Sequence, residues 1–330
     1  MSDVNSPSRL GRVNATGTAY DALFLKVFSN EILATFEKTQ IMKPLHTIRT
    51  ISSGKSATFP TIGTATAKYH TPGVDIMSTA GYNTDFNMNE QVITIDKMLV
   101  SSTFIPNIDE LKNHFDVRGQ FSKELGSALA QRFDKAVLKT LAAGGKHTGT
   151  PSGQPRGIDF NGDVSTGAKI VETITTLAQR LDENDVPDDG TRFIILEPAS
   201  YYKLVGEDNI AINRDFGGVG SVATGKIPVV AGINVYKSNN LTAVTVADGS
   251  QEQDDDNASN EPFVSGGDGY NADLSTTVAV GGHPSGVGTV KLLDLATESD
   301  YSVAHQGTLF VAKYAMGHNV LRNGACANIT

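Results

Sequence analysis

The chain contains 330 residues with a formal net charge of -9, and charged residues make up 19% of it. An apolar fraction of 39% is enough for a hydrophobic core, and the length predicts about two domains. No run approaches the roughly 18 apolar residues of a membrane span, and no secretory signal is expected. The single cysteine, Cys326, excludes an intrachain disulfide and a cysteine-based zinc site.

The negative charge is concentrated in one part of the chain. Residues 241–290 contain eight Asp or Glu and no Lys or Arg, whereas residues 1–60 contain seven Lys or Arg and four Asp or Glu. Burying so many unpaired carboxylates would cost free energy, so we expect residues 241–285 to form an exposed insertion. A calcium-binding loop is the alternative, since Asp and Asn supply oxygen ligands, but the EF-hand spacing is absent.

The N-terminal part of the chain predicts an arm and a long hairpin. Residues 1–20 are small and polar, which is typical of an arm without its own core, and the apolar spacing in 21–38 predicts a short amphipathic helix. Two β-prone regions, 46–70 and 92–105, are joined by a polar stretch. They predict an extended hairpin over 46–105, which would be marginally stable alone and needs a surface to lie on.

A long helix is predicted over 107–143. Asn107 is a suitable N-cap residue, and apolar residues then recur at steps of three or four. Gly144 and Gly145 are expected to end the helix. At 1.5 Å per residue such a helix is roughly 50 Å long, which predicts an elongated protomer.

The remainder of the chain mixes helices and strands. Residues 168–181 have helical apolar spacing, and a short helix is predicted to open at Pro198. The apolar run 193–196 predicts a strand buried on both faces. Further strands are predicted in three places: 227–235, 287–292 and 309–314. The second half is therefore α+β or α/β.

Motifs that could carry chemistry are incomplete. Gly54, Lys55 and Ser56 imitate the end of a phosphate-binding loop, but position 49 is Arg where that motif needs Gly. The β-prone residues after Ser56 also provide no helix N-terminus for a phosphate. The glycine-rich residues 217–220 are interpreted as a flexible loop. No nucleophile, base and oxyanion donors can be assembled, so we expect no enzyme activity, no catalytic residue, no cofactor and no metal.

Six blocks of sequence, in this order along the chain, resemble one protein family. They are LFLKVF at 23–28, ISSGKSA at 51–57, VITID at 92–96, HFDVR at 114–118, VGTVKL at 287–292 and AKYAMGH at 312–318. Together they resemble the major capsid proteins of T-odd-type short-tailed phages, the podoviruses of autographivirus type. The resemblance implies the HK97 capsid fold, which is α+β with an N-terminal arm, an E-loop hairpin, a spine helix, a peripheral domain and an axial domain.

The resemblance also implies a division of the chain. It comprises an arm with a short helix at 1–45, the E-loop at 46–105, a peripheral domain at 106–190 with the spine helix 107–143, an axial domain at 191–290 with the acidic insertion 241–285, and a return to the peripheral domain at 291–330. The insertion and the first 20 residues match the family poorly, so no role is carried over to them.

The function implied by the resemblance is mechanical. The family's proteins form pentamers and hexamers that close an icosahedral head around double-stranded DNA, which they do not read by sequence. The implied partners are a scaffolding protein, a portal at one vertex and possible decoration proteins, with no membrane. Assembly is expected in the bacterial host cytoplasm and the product in the virion. An encapsulin-like compartment on the same fold is the alternative.

The hairpin and the arm are expected to contact neighbouring subunits. The candidates for these contacts are basic and aromatic residues: Arg9, Arg12, Arg49, Lys55, Phe59, Lys68, Tyr82 and Phe86. The basic members are expected to pair with acidic groups across interfaces. For each one singly, an ordinary solvated charge is an equally good interpretation.

Overall fold

The computed structural model describes a large part of the chain. The described residues are 41–62, 67–77, 88–95, 98–108, 118–147, 155–206, 229–241 and 276–330. Residues 1–40 of the predicted arm at 1–45, with its amphipathic helix, and most of the acidic insertion lie outside them. The described chain divides into two units, one with residues 98–133 and 293–316, and the other with residues 41–95, 134–292 and 317–330.

A long antiparallel ladder dominates the first unit. Strand β4 (Leu99–Pro106) pairs antiparallel with β11 (Gly307–Val320), in the register Gly307 to Pro106 through Tyr314 to Leu99. Strand β10 (Val287–Ser302) precedes β11 and is its other neighbour in the sheet. A Cβ at Gly307 would lie 2.5 Å from the Ile105 carbonyl oxygen. Glycine therefore permits the close approach of β4 to the start of β11.

The hairpin covers a shorter range of residues in the structure than the predicted 46–105. Strand β2 (Ser56–Ile62) pairs antiparallel with β3 (Met88–Thr94), and the pairing runs from Ser56 opposite Thr94 to Ile62 opposite Met88. Strand β1 (Thr47–Thr50) instead pairs in parallel with β10. The outer parts of 46–105 thus pair with strands that are distant in the sequence. Local sequence patterns do not predict such long-range pairings.

A six-stranded sheet lies in the second unit. Its order is β5 (Ile158–Phe160), β12 (Cys326–Ile329), β9 (Ala279–Gly282), β6 (Phe193–Leu196), β8 (Ile233–Lys237) and β7 (Val229–Val230). Strand β6 pairs in parallel with β8 and antiparallel with β9. All four of its residues are buried, which confirms the prediction of a strand covered on both faces. The sheet draws strands from both sides of the predicted boundaries at 190 and 290.

Helix α2 (Gly167–Glu183) packs on this sheet. The side chain of Thr166 accepts a hydrogen bond from the Lys169 N–H and so caps the helix. Residues at helical spacing are fully buried in the core with residues of the sheet: Ile170, Ile174, Leu177 and Leu181. Helix α3 (Pro198–Gly206) contributes Tyr201 and Leu204 to the same core. The predictions of helices at these two places are confirmed.

The long helix does not end where the sequence predicted. Asn107 and Ile108 are helical, residues 109–117 lie outside the described part, and helix α1 runs from Arg118 to Lys146. It passes through both glycines that were expected to end it. A Cβ at Gly145 would lie 2.3 Å from the Asn328 backbone nitrogen, and one at Gly144 would lie 3.0 Å from the Cys326 sulfur. These glycines therefore let β12 approach the helix, a tertiary requirement that overrides their weak helix propensity.

Among the described residues, no helix is both long and apolar enough to cross a membrane.

Candidate functional site

The base of the β2–β3 hairpin is firmly anchored. Ile93 is fully buried, and its Cδ1 atom would lie 3.1 Å from a Cβ placed on Gly288. The Ile95 N–H donates to the Lys55 carbonyl at 2.8 Å, and the Asn319 amide donates to the Val92 carbonyl at 3.1 Å. The hairpin therefore starts from a fixed position on strands β10 and β11.

Residues 67–77, which lie between the two hairpin strands, are almost entirely exposed. Val74 is half-buried, and every other residue in this stretch is exposed. The side chains of Tyr69, Met77 and Ile76 are 99%, 78% and 52% exposed. Several large exposed apolar side chains in one short segment are typical of an interaction surface. The candidate list from the sequence missed these three, although large apolar residues inside a polar stretch were the available signal.

Two of the predicted contact residues also touch each other within one chain. The Arg49 guanidinium carbon lies 5.5 Å from the centroid of the Phe59 ring, which is a cation–π arrangement. Arg49 also donates to the Thr58 carbonyl at 3.4 Å. This contact joins β1 to β2 within one chain. The other predicted contact residues in the described part, Lys55 and Lys68, are exposed. Arg9, Arg12, Tyr82 and Phe86 lie outside the described residues.

A buried carboxylate holds the turn that precedes β1. Asp134 of α1 accepts hydrogen bonds from the N–H groups of Ile41 at 2.9 Å and Met42 at 3.1 Å. The Asn240 amide donates to it as well, at 3.3 Å. Burial raises the pKa of Asp134, and the hydrogen bonds from these donors act in the opposite direction. The carboxylate thus connects three distant segments of the second unit.

Two buried histidines lie next to this turn. His46 Nδ1 is 2.6 Å from the Met42 carbonyl, and a carbonyl oxygen only accepts, so Nδ1 carries the proton. His318 Nδ1 is 2.8 Å from the Thr289 hydroxyl. Burial lowers the pKa of His46. It lowers the pKa of His318 to about 3, and the charge of His46 acts in the same direction.

A serine, a histidine and an aspartate also come together near β9. His283 Nδ1 is 2.8 Å from the Ser285 hydroxyl, and Nε2 is 3.4 Å from Asp189 Oδ2. Hydrogen bonds, first those from Thr191, lower the pKa of Asp189 to about 2. An acyl-transfer site also needs free N–H donors for the oxyanion. Here the N–H groups of Ser285 and Gly286 donate to His283 itself, so this cluster braces a turn.

Within the described part of the chain, no group of three or more His, Cys, Asp or Glu residues is arranged to hold a metal ion. Cys326 is buried, and burial raises the pKa of its thiol.

The large apolar side chains exposed in residues 67–77 are typical of a surface that contacts other proteins. A family model described as "Gp10A-like: Major capsid protein" matches residues 58–330. The chain belongs to this family. It is 32% identical to the major capsid protein of Enterobacteria phage T3 over 100% of this chain and 98% of that protein. It is also 32% identical to the major capsid protein of Escherichia phage T7, over 93% of this chain and 91% of that protein.

The chain is also similar to solved capsid structures. The capsid of the cyanophage P-SCSP1u aligns with a TM-score of 0.74 and 36% identity, over 98% of this chain and 97% of that chain. The mature capsid of bacteriophage PhiM1 aligns with a TM-score of 0.71, over 97% and 96% of the two chains. At 18% identity the second likeness shows the fold alone.

The prediction of a phage major capsid protein with an α+β capsid fold is therefore confirmed. The capsid protein is a structural component of the phage virion and assembles with copies of itself. The T3 and T7 relatives support the podovirus assignment. The alternative of an encapsulin-like compartment is not favoured, because the related chains are phage capsid proteins.

Proposed function

We propose that copies of this capsid protein form a closed icosahedral head around double-stranded DNA. We also propose that the β2–β3 hairpin and residues 67–77 make the main contacts with neighbouring subunits. The observation that carries the proposal is the contrast within the hairpin. Its base is buried at Ile93, whereas Tyr69 and Met77 are exposed by 99% and 78%. Covering such exposed apolar side chains with a neighbouring surface would lower the free energy of the assembly.

We also propose where the parts of the capsid fold lie along the chain. In this proposal the E-loop is the hairpin that begins with β2 and ends with β3, and α1 is the spine helix. The six-stranded sheet supports the axial domain, and the β4–β11 ladder belongs to the peripheral domain. The arm before residue 41 and the acidic insertion 241–285 complete the protomer, and we place the insertion on the outer surface because of its charge.

Many modest contacts would stabilise the shell. Each subunit interface need bury only a standard area, because a subunit held by several neighbours at once dissociates only when all of these contacts open together. Lys55 and Lys68 are proposed to pair with acidic groups of neighbouring copies. Arg49 and Phe59, which contact each other, are also kept as proposed contact residues. Arg9, Arg12, Tyr82 and Phe86 are kept as proposed contact residues.

The charge balance favours weak contact with the packaged DNA. An acidic chain neutralises few phosphates, so the DNA inside would stay mobile. A scaffolding protein during assembly, a portal at one vertex and decoration proteins are proposed as further partners. Assembly is proposed to take place in the host cytoplasm, and the chain has no proposed enzymatic step, cofactor or metal.

A shortened hairpin tests the proposal. Ile62 and Met88 face each other in the ladder, so an Asn-Gly turn can join them directly and replace residues 63–87. This variant keeps both strands and the anchor at Ile93. We expect it to fold with the thermal midpoint of the wild type, and to form no closed shells when it is expressed with its scaffolding protein.

Electron microscopy of the two preparations decides the matter. Shells from the wild type and soluble subunits from the variant support the proposal. Closed shells of normal size from the variant would contradict the role of the hairpin. A monodisperse small oligomer from the wild type under the same conditions would contradict shell assembly itself.

A further inference from the structure

Two hydrogen-bonded sets of buried polar groups lie near each other in the second unit. Asp134 accepts from the Met42 N–H at 3.1 Å, and the Met42 carbonyl lies 2.6 Å from His46 Nδ1. His46 is near enough to His318 for its charge to act on that ring, and His318 Nδ1 lies 2.8 Å from the Thr289 hydroxyl. Together the two sets form a network that extends from helix α1, past the turn at 41–46, to strands β10 and β11.

This network suits neutral imidazoles. A neutral His46 with its proton on Nδ1 donates to the Met42 carbonyl, and a neutral His318 can accept at Nδ1 from the Thr289 hydroxyl. A proton on His318 would turn Nδ1 into a donor and oblige the hydroxyl of Thr289 to accept from it. Both rings are buried, at 7% and 2% exposure, so each added charge would lose its hydration.

The two rings hydrogen-bond to uncharged groups, the Met42 carbonyl and the Thr289 hydroxyl. Asp134 of α1 is engaged by two backbone N–H groups and the Asn240 amide. The charge of His46 disfavours a proton on His318, because two like charges repel more strongly in the protein interior than in water.

We propose that this network is an acid-sensitive fastening, which holds the turn at 41–46 against α1, β10 and β11 at neutral pH and releases it when the two imidazoles gain protons. The turn connects residues 1–40 to β1, and β1 leads to the hairpin. Release would therefore loosen the joint between the N-terminal segment and the hairpin while the six-stranded sheet stays folded. This inference concerns the single subunit and does not depend on shell assembly.

Hydrogen exchange of the full, unassembled chain tests the fastening. The observable is the protection factor of the Met42 and Leu45 amides and of the β1 amides, followed from pH 7 to pH 4.5. For a histidine with a pKa of about 3 when buried and 6.5 when released, release becomes easier on the order of 10²-fold over this range. We expect these protection factors to fall by that amount, while those of Ile194 and Ile195 in β6 fall much less.

Variants show whether the histidines are responsible. His46→Gln combined with His318→Gln removes both titrating groups, and we expect the protection factors at 42–50 to vary less than about threefold between the two pH values. His70→Gln removes an exposed histidine and should leave the acid response of the wild type unchanged. Retention of the full response in the double variant would overturn the proposal.

A second measurement covers the case in which the double variant does not fold. Exchange at the imidazole C2 position, measured by mass spectrometry on the wild type, reports the titration of each histidine separately. Titration of His46 and His318 well below pH 6.5 supports the fastening. Titration of both near pH 6.5, or constant protection of residues 42–50 down to pH 4.5, would overturn it.

Discussion

Two regions of this capsid protein use apolar residues in opposite ways. In strand β6 of the six-stranded sheet, Phe193 and its three successors are at most 1% exposed. In the stretch 67–77, Tyr69 and Met77 face solvent. The first region stabilises the subunit by burying its side chains at once, whereas the second keeps apolar area that only another surface can cover. In the proposed shell, stability of the subunit and stability of the assembly would therefore depend on different residues.

The largest expected effect comes from the contact between α1 and β12. A Cβ at Gly145 would meet backbone atoms of Asn328 and Ala327 at 2.3 and 2.7 Å, and backbone cannot turn away as a side chain can. Gly145→Ala should lower the free energy of unfolding by about 3 kcal/mol, near the upper end for overpacking. Chemical denaturation measures it.

Gly126→Ala is the matched control on the same helix. A Cβ there would meet nothing within 4 Å, so the better helix propensity of alanine should raise stability by up to about 1 kcal/mol. Equal effects of the two substitutions would mean that the approach of β12 to α1 is not what requires glycine.

The next effect distinguishes a buried apolar residue from an exposed one within the same strand. Ile93 of β3 is fully buried, whereas its neighbour Val92 is 39% exposed. Ile93→Ala should cost about 2 to 3 kcal/mol, the loss typical of a buried aliphatic side chain. Val92→Ala should change stability by less than about 0.5 kcal/mol. Similar losses in thermal or urea unfolding would show that the hairpin base is not anchored through Ile93.

A smaller effect on stability, with a large effect on assembly, is expected beyond the base. Tyr69→Ser with Met77→Ser should change the free energy of unfolding by less than about 0.5 kcal/mol, because both side chains are exposed in the subunit. The same variant should raise the protein concentration at which shells form, as measured by sedimentation. A variant that is less stable but assembles normally would contradict this prediction.

The smallest effect is electrostatic. Exposed ion pairs contribute about 0.2 to 1 kcal/mol and are screened by salt. Lys55→Gln with Lys68→Gln should therefore make shell stability less dependent on ionic strength, as followed by light scattering between low and high salt. Lys55→Arg with Lys68→Arg retains both charges and should retain the salt dependence. Identical salt curves for all three proteins would remove these lysines from the proposed contacts.

Local patterns in the sequence were sufficient for several elements. Helix α2 was predicted because Ile170, Ile174, Leu177 and Leu181 recur at helical spacing. Strand β6 was predicted from four consecutive apolar residues. The resemblance to phage capsid proteins supplied the fold and the function. In each case the signal lies within a few adjacent residues or in ordered blocks along the chain.

Local patterns did not predict features that depend on residues far away in the sequence. Gly144 and Gly145 have the local character of a helix end, yet their role is set by β12. Strand β1 is β-prone, but nothing local indicates that it pairs with β10 and not within the hairpin. The contact of Arg49 with Phe59 and the buried pair His46 and His318 likewise arise only when separate segments meet. Exposure of Lys55 and Lys68 agrees with their polar surroundings in sequence, while their contacts with other copies stay predictions.

The position of β12 in the six-stranded sheet has a consequence for synthesis. β12 lies between β5 and β9, and the Asn328 side chain donates to Asp159 across a separation of 169 residues. At a translation rate of about 5 to 20 residues per second, β5 leaves the ribosome roughly 10 to 30 s before its partner exists. The edge of β9 stays open until residues 326–329 arrive. A cell that makes many copies at once therefore holds a population of nascent chains with unpaired strands, and chaperones that shield such edges should raise the yield of assembly-competent subunits.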